Sequence, residues 1–140
     1  MIRKMKKEDL DSIMQLWLHG NLIAHPFVDP QFWHENYDFV SQQILQAEVF
    51  VYLKDQNILG FIGLVSDYIA GIFVDPQVQS QGIGQALLNH VKQNHASLIL
   101  NVYAQNKRAY QFYCQQGFVI LDEKIDNTTN ALDYTMQWKS

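Results

Sequence analysis

Residues 72–88 read IFVDPQVQSQGIGQALL. Ile72-Phe73-Val74 is an apolar strand, Asp75-Pro76 a turn, and Gln77 to Gln81 a polar run broken only by Val78. Gly82-Ile83-Gly84 then opens a helix whose apolar positions, Ile83, Ala86, Leu87 and Val91, recur at helical spacing. A strand, a polar loop, glycines and a helix start together make an anion site. The first turn of a helix has unpaired N–H groups and a partial positive charge. Glycines let an anion approach that backbone closely, and a pyrophosphate fits such a place.

Other loops share some of these features. A dinucleotide-binding turn reads G-x-G-x-x-G directly after its strand, whereas Leu87 stands here at the third glycine position and no acid lies near Val102 to hold a ribose. A Walker loop needs Gly-Lys-Ser/Thr, which is absent. A purely structural strand-to-helix loop is the remaining reading of Gly82 and Gly84 alone.

Taken as Gln79-x-x-Gly82-x-Gly84 after Val74-x-Pro76, the stretch resembles the acyl-CoA loop of the GCN5-related N-acetyltransferase (GNAT) family, Gln/Arg-x-x-Gly-x-Gly/Ala. A second element of that family is matched at the expected separation by Asn106-x-x-Ala109-x-x-x-Tyr113-x-x-x-Gly117-Phe118. Two motifs at the right distance are far more specific than either alone. The sharp motifs lie within residues 75–118.

The chain of 140 residues is long enough for one domain with a real core, residues 1–140. Hydrophobic residues make up 48% and charged residues 17%, which excludes a disordered chain. A net charge of −4 leaves no basic footprint for nucleic acid and mildly favours a cationic substrate. The single cysteine, Cys114, has no internal disulfide partner, which fits a reducing compartment. With no apolar run of about 18 residues and no signal-peptide core, neither a membrane span nor export is expected, and the expected location is cytoplasmic.

Along the chain, Ile2 to Met5 is a short strand. Asp9 to about Leu22 is a helix with Leu10, Ile13, Met14, Trp17 and Leu18 on one face. Asp29-Pro30 reads as an N-cap with proline at the first helical position, opening one helix that runs to about Ala47. The period then changes. Glu48 to Lys54, Ile58 to Val65 and Tyr68 to Val74 form an antiparallel meander with turns at Asp55-Gln56-Asn57 and Ser66-Asp67. A helix from Ile83 to about His95, a buried strand Ser97 to Tyr103, and a helix from Lys107 to Gln116, capped by Asn106 and stopped by Gly117, follow. Phe118 to Lys124 and Ala131 to Lys139 are the last strands, joined by a polar loop at residues 126–130. The order β-α-α-β-β-β-α-β-α-β-β is a mixed α/β sheet fold and is similar to that of the GNAT acyltransferases.

The resemblance implies transfer of the acetyl group of acetyl-CoA to a primary amine by direct attack, with no metal. It assigns the pyrophosphate to the backbone around Gln81, Gly82, Ile83 and Gly84, with Gln79, Ser80 and Gln85 nearby. It assigns the pantetheine arm to the main chain of Ile72 and Val74 and to Asn106, whose plain structural role is that of a helix cap. Tyr113 becomes the general acid. A phenol, with a reference pKa of about 10 against about 8.5 for a thiol, is protonated at neutral pH and can protonate a departing thiolate.

The general base is not visible in the sequence. Relatives that act on protein amines often carry a glutamate on the strand after the loop helix, and here Asn101 holds that position. His25, whose reference pKa suits the task, and Asp67 are the candidates, with His34 and water behind them. His19, His25 and His34 have no metal-binding spacing. Cys114 has no histidine placed to activate it, so it reads as a small filler rather than a nucleophile. The missing glutamate leaves a second reading open, a non-catalytic acyl-CoA-binding sensor or regulatory module, and the glycine loop leaves a nucleotide-binding protein as a third. Acceptor, acyl length and oligomeric state, monomer or homodimer, are not encoded in any motif.

Overall fold

The computed structural model describes residues 1–140 and contains β1 (Ile2–Lys4), α1 (Leu10–Ala24), α2 (Pro30–Glu35), α3 (Tyr37–Gln46), β2 (Glu48–Lys54), β3 (Asn57–Val65), β4 (Tyr68–Val74), α4 (Ile83–Lys92), β5 (Ser97–Tyr103), α5 (Lys107–Gln115), β6 (Val119–Asp126) and β7 (Ala131–Lys139). Short 3-10 turns at Lys7–Asp9 and Pro76–Val78 precede α1 and α4. The seven strands form one sheet in the order β1-β2-β3-β4-β5-β7-β6. Every neighbouring pair is antiparallel except β4 and β5, which the α4 crossover makes parallel.

Strand alternation divides the apolar residues between two faces. On one face Ile83, Leu87, Leu88 and Val91 of α4, with Tyr113 and Phe118, pack on Ile62, Leu64, Ile69, Leu98, Leu100 and Val102. On the other, Ile13, Met14, Trp17, Val28, Trp33 and Ile44 pack on Val49, Val51 and Phe61. Fully burying one such side chain contributes about 1.5–3 kcal/mol, so the two cores hold the helices to the sheet.

The meander Glu48 to Val74 forms as the sequence indicates. Its first turn is tight because Asp55 and Gln56 both take left-handed backbone, φ 52° and 66°, the geometry of a two-residue hairpin. The single helix expected from Asp29 to Ala47 is instead two. Asp29 does cap its start, accepting from the Gln31 N–H at 2.9 Å. Asn36 then leaves helical geometry, with φ −94° and ψ 1°, and closes α2 by donating from both its backbone N–H (3.2 Å) and its side-chain amide (2.7 Å) to the Phe32 carbonyl. A short polar side chain that competes for local backbone groups ends a helix where apolar periodicity alone would continue it.

One irregularity shapes the rest. Ile69 pairs with Leu64 and Gly71 with Gly63, so Ala70 bulges out of the β3–β4 ladder. A bulge bends a strand and increases its twist. β4 pairs with β5 only at Tyr68↔Ile99 and Ile69↔Leu100; beyond them the two strands diverge, and β4 from Ala70 to Val74 keeps an unpaired edge. No helix is long and apolar enough to cross a membrane.

Candidate active site

The divergence of β4 and β5 opens a cleft of about 1590 Å³. Its walls are the β4 edge, the glycine loop, the first turns of α4 and α5, the end of α1 and the start of the β6–β7 loop. Ile72, Val74, Gln79, Ser80, Gly82, Ile83, Gly84, Gln85, Asn106, Tyr113 and His25 all line it. Gln81 and Asp67 do not. Asp67 sits in the β3–β4 turn with its side chain 60% exposed and its carboxylate 2.7 Å from His95 Nδ1, at the closed end of the fork.

The loop end presents unpaired hydrogen-bond donors to the cleft. Asp75 accepts from the Gln77 N–H at 3.0 Å and starts the 3-10 turn. Ser80 and Gly82 then take left-handed backbone, φ 70° and 83°. The first bond of α4 runs from the Ala86 N–H to the Gly82 carbonyl, 2.9 Å, so the N–H groups of Ile83, Gly84 and Gln85 are left without helical partners at the cleft. A Cβ placed on Gly82 would meet nothing within 4 Å, which is the open side of the cradle, whereas one on Gly84 would come 3.3 Å from Phe112 Cζ. Arg108 donates to Ser80 Oγ at 3.0 Å and brings a fixed cation over the loop. Its sequence signal, Lys107-Arg108 in the first turn after Asn106, was not read as part of the site. Unpaired helix amides, a left-handed loop and a guanidinium are the donor set a pyrophosphate needs, so these residues fit the phosphate end of a CoA thioester.

In the middle of the cleft, Tyr113 projects from α5 between the rings of Phe112 and Phe118, at centroid distances of 5.4 and 5.7 Å. It is 8% exposed, and burial pushes its phenol well above the ordinary value, so the hydroxyl keeps its proton. Asn106 caps α5 by accepting from the Ala109 N–H at 3.3 Å. Its amide nitrogen lies 3.2 Å from His25 Nε2, while His25 Nδ1 lies 3.0 Å from Asn21 Oδ1. His25 is packed among Phe27, Trp33 and Tyr103, and burial pulls its pKa down to about 4. Both ring nitrogens are thus engaged, and neither offers a free lone pair to an arriving amine.

The far end is acidic. Asp133 on β7 lies opposite Tyr103 of β5 in the sheet register. It is 9% exposed, and one carboxylate oxygen accepts from the Asn101 amide at 2.7 Å. Asn101 also donates to Thr135 Oγ1 at 3.0 Å and accepts from the Tyr68 hydroxyl at 3.0 Å. Asp126 accepts from the Tyr103 hydroxyl at 3.1 Å and from the Thr128 N–H at 2.9 Å. Burial, and less strongly the Asp126 charge, raises the Asp133 carboxyl above its ordinary value, against the lowering effect of its bond from Asn101 and of Lys124. Burial likewise lifts the Tyr103 phenol to about 12. Asp133 shares the polar face of β7 with Thr135, Gln137 and Lys139, opposite Leu132, Tyr134, Met136 and Trp138, so the alternation carries no mark of its burial.

The family model described as an acetyltransferase (GNAT) domain matches residues 46–120. Over 140 residues the chain is 34% identical to the peptidyl-lysine N-acetyltransferase YiaC of Escherichia coli, covering 99% of this chain and 96% of that protein. It is 30% identical over 120 residues to the peptidyl-lysine N-acetyltransferase YjaB of Salmonella typhimurium, covering 85% and 83%. Among solved structures, apo YjaB from Escherichia coli superposes with a TM-score of 0.86 at 24% identity, covering 99% and 96%. Spermidine N-acetyltransferase from Vibrio cholerae, solved with CoA and spermine, superposes with a TM-score of 0.75 at 20% identity, covering 99% and 94%.

Proposed function

This chain belongs to the GNAT acetyltransferase family, and we propose that within it the protein moves the acetyl group of acetyl-CoA to the side-chain amine of lysine in proteins, by direct attack. The enzymatic class follows from the family and from the N-acetyltransferase relatives. The choice of lysine is supported by the names of those relatives and by an acceptor end whose acidic residues, Asp126 and Asp133, suit a cation. The observation that carries the reading is one cleft that holds unpaired helix amides at one end, a protonated tyrosine in its middle and carboxylates at the other.

On this reading the N–H groups of Ile83, Gly84 and Gln85, with Gly82 giving access, hold the pyrophosphate at the positive end of α4. Arg108 adds a charge-assisted contact, and Gln79 and Ser80 complete the polar rim. The main chain of Ile72 and Val74, on the unpaired β4 edge, pairs with the amides of the pantetheine arm. Gln79 Nε2, 3.4 Å from the Val74 carbonyl, occupies that edge weakly enough to be displaced. Asn106 holds the arm with the amide hydrogen that His25 does not take.

A main-chain N–H of the same β4 edge polarises the thioester carbonyl as charge develops on its oxygen. Tyr113 gives its proton to the departing thiolate, and its burial keeps that proton in place until the sulfur needs it. The remaining contribution is positional, since two reactants held in one cleft react without the entropy cost of meeting.

The test is thiol release from acetyl-CoA in the presence of a lysine-containing peptide, with mass spectrometry to locate the added acetyl group. Release stimulated by that peptide and not by its arginine-substituted counterpart is expected. Release with spermidine but not with either peptide would make the acceptor a small polyamine.

A further inference from the structure

The geometry points to Asp133 as the group that receives the acceptor amine and takes its proton, a role for which the strand after the loop helix supplies only Asn101. This inference rests on the reading of the protein as an amine acetyltransferase.

Two carboxylates line the cleft, Asp126 and Asp133. Both oxygens of Asp126 are already occupied, one by the Tyr103 hydroxyl and the other by the Thr128 N–H. Asp133 has only one oxygen occupied, by the Asn101 amide. Its other oxygen has no protein partner, and it belongs to a residue that is almost buried and lines the cleft. Asp133 therefore has a whole oxygen free for a substrate, whereas each oxygen of Asp126 already accepts one bond.

Its support is directional. A carboxylate can only accept, so the Asn101 group facing Asp133 is the NH2, and the Asn101 oxygen is left to accept from the Tyr68 hydroxyl. Tyr68 lies in the short β4–β5 pairing, and Asn101 is the first β5 residue beyond it, where the fork opens. The network thus pins the carboxylate beside the mouth of the fork, where an amine must come to reach the β4 edge. The fold carries on β7 the acid that β5 lacks.

The step balances as follows. A bound ammonium passes one proton to Asp133, which releases it to water. The neutral nitrogen bonds to the acetyl carbonyl carbon and loses a second proton to Asp133. The carbon–sulfur bond breaks with its electron pair going to sulfur, and sulfur takes its proton from Tyr113. Exchange with water restores Asp133 and Tyr113.

The charged and titratable groups around Asp133 are Tyr68 of β4, Tyr103 of β5, and Lys124 and Asp126 of β6, with His25 of α1 against the Tyr103 ring. The one other carboxylate among them, Asp126, has a bond on each oxygen. An Asp133→Asn enzyme can therefore use only amine that is already neutral.

The experiment compares wild type with Asp133→Asn, using thiol release from a lysine peptide and from the same peptide carrying the less basic γ-thialysine. Calorimetry with acetyl-CoA checks that the donor half is intact. The inference expects unchanged acetyl-CoA affinity and a loss of kcat/KM on lysine at pH 7 of about 100-fold. That loss should shrink as pH rises toward the amine pKa, and it should be smaller with γ-thialysine. Full activity of Asp133→Asn, or a loss that neither pH nor amine basicity alters, would overturn it. If wild type turns over neither peptide, the comparison is repeated with spermidine. The lysine reading then fails by itself, and Asp133 stands or falls on the same two readouts. A wild-type enzyme inactive on all three amines would overturn both.

Discussion

His25 Nε2 accepts a hydrogen bond from the Asn106 side-chain amide, 3.2 Å away, and joins the end of α1 to the N-cap of α5. The direction of this bond is set at both ends. Asn21 donates its amide hydrogen to the Trp17 carbonyl at 2.9 Å, so its oxygen faces His25 Nδ1. Asn106 accepts from the Ala109 N–H through its oxygen, so its nitrogen faces Nε2. The ring is therefore neutral, with its proton on Nδ1. Protonating Nε2 would set one donor against another inside an aromatic shell.

The first prediction concerns acid. His25 has a folded pKa of about 4, below the ordinary histidine value of 6.5, so the unfolded chain binds the extra proton between those values. Stability is full above about pH 6.5 and declines as pH falls toward 4, by about 2–3 kcal/mol once the partial solvation of the ring is allowed for. Asp133, whose pKa is raised, shifts the opposite way in acid, so the contribution must be isolated by substitution. Urea midpoints of wild type and His25→Gln at pH 7 and pH 5 should show a steeper acid loss for wild type. Parallel losses would remove His25 as the titrating group.

Tyr113→Phe should leave acetyl-CoA affinity within about twofold and reduce kcat by about 100-fold or more, the usual size of a lost general acid. The ring contacts with Phe112 and Phe118 survive in phenylalanine, so folding is unaffected. Calorimetry and thiol release measure the two quantities separately. Wild-type turnover in the variant would end the assignment of Tyr113 as proton donor.

A third prediction concerns the loop. Gly82 has φ 83° and open space where a side chain would stand. Gly82→Val forces a β-branched residue into left-handed backbone, at a cost of about 1–2 kcal/mol, and fills the cradle with methyl groups. Affinity for acetyl-CoA should fall more than tenfold while the circular dichroism spectrum keeps its helix and strand content. Arg108→Ala should weaken binding less and reduce its salt dependence, because it removes a charge without filling space. Unchanged calorimetric affinity in Gly82→Val would make the loop purely structural.

Local requirements explain why the residues of the glycine loop and the α5 cap could be picked out in sequence. Gly82 is demanded by its own φ, Asn106 by the Ala109 N–H three residues on, and Gly117 by a φ of 93° at the end of α5. Each leaves a mark within a few residues. The Asp133 cluster and the Arg108–Ser80 bond rest on distant pairings instead. Asp133 meets Asn101 only through the β5–β7 register, and Arg108 meets Ser80 only after α5 folds back over the loop. Asp67 seemed available because His95, whose Nδ1 lies 2.7 Å from its carboxylate, stands far along the chain. The break at Asn36 was hidden by apolar spacing that continues across it from Trp33 to Val40, and only the two hydrogen bonds that Asn36 donates to the Phe32 carbonyl mark it.

The final prediction tests the packing behind the β4 edge. The Phe73 ring sits between Gly20 of α1 and Gly71 of β4, and a Cβ on either glycine would lie 2.7 Å from a ring carbon. On its far side the ring stacks on Phe61 at 5.4 Å, so it has no room to retreat. Gly20→Ala would favour α1 by helix propensity, by about 1 kcal/mol. Overpacking opposes this with about 1–3 kcal/mol, and the clash should win. The expected result is a lower thermal midpoint for Gly20→Ala. Phe73→Leu alone should also be destabilising, through lost volume. The double variant should be more stable than the sum of the two losses allows, because the smaller side chain makes room for the new methyl. Since Phe73 belongs to the unpaired edge that lines the cleft, Gly20→Ala should also raise the KM for acetyl-CoA more than it lowers kcat. Additive stability losses in the double variant would show that Gly20 and Phe73 do not press on each other.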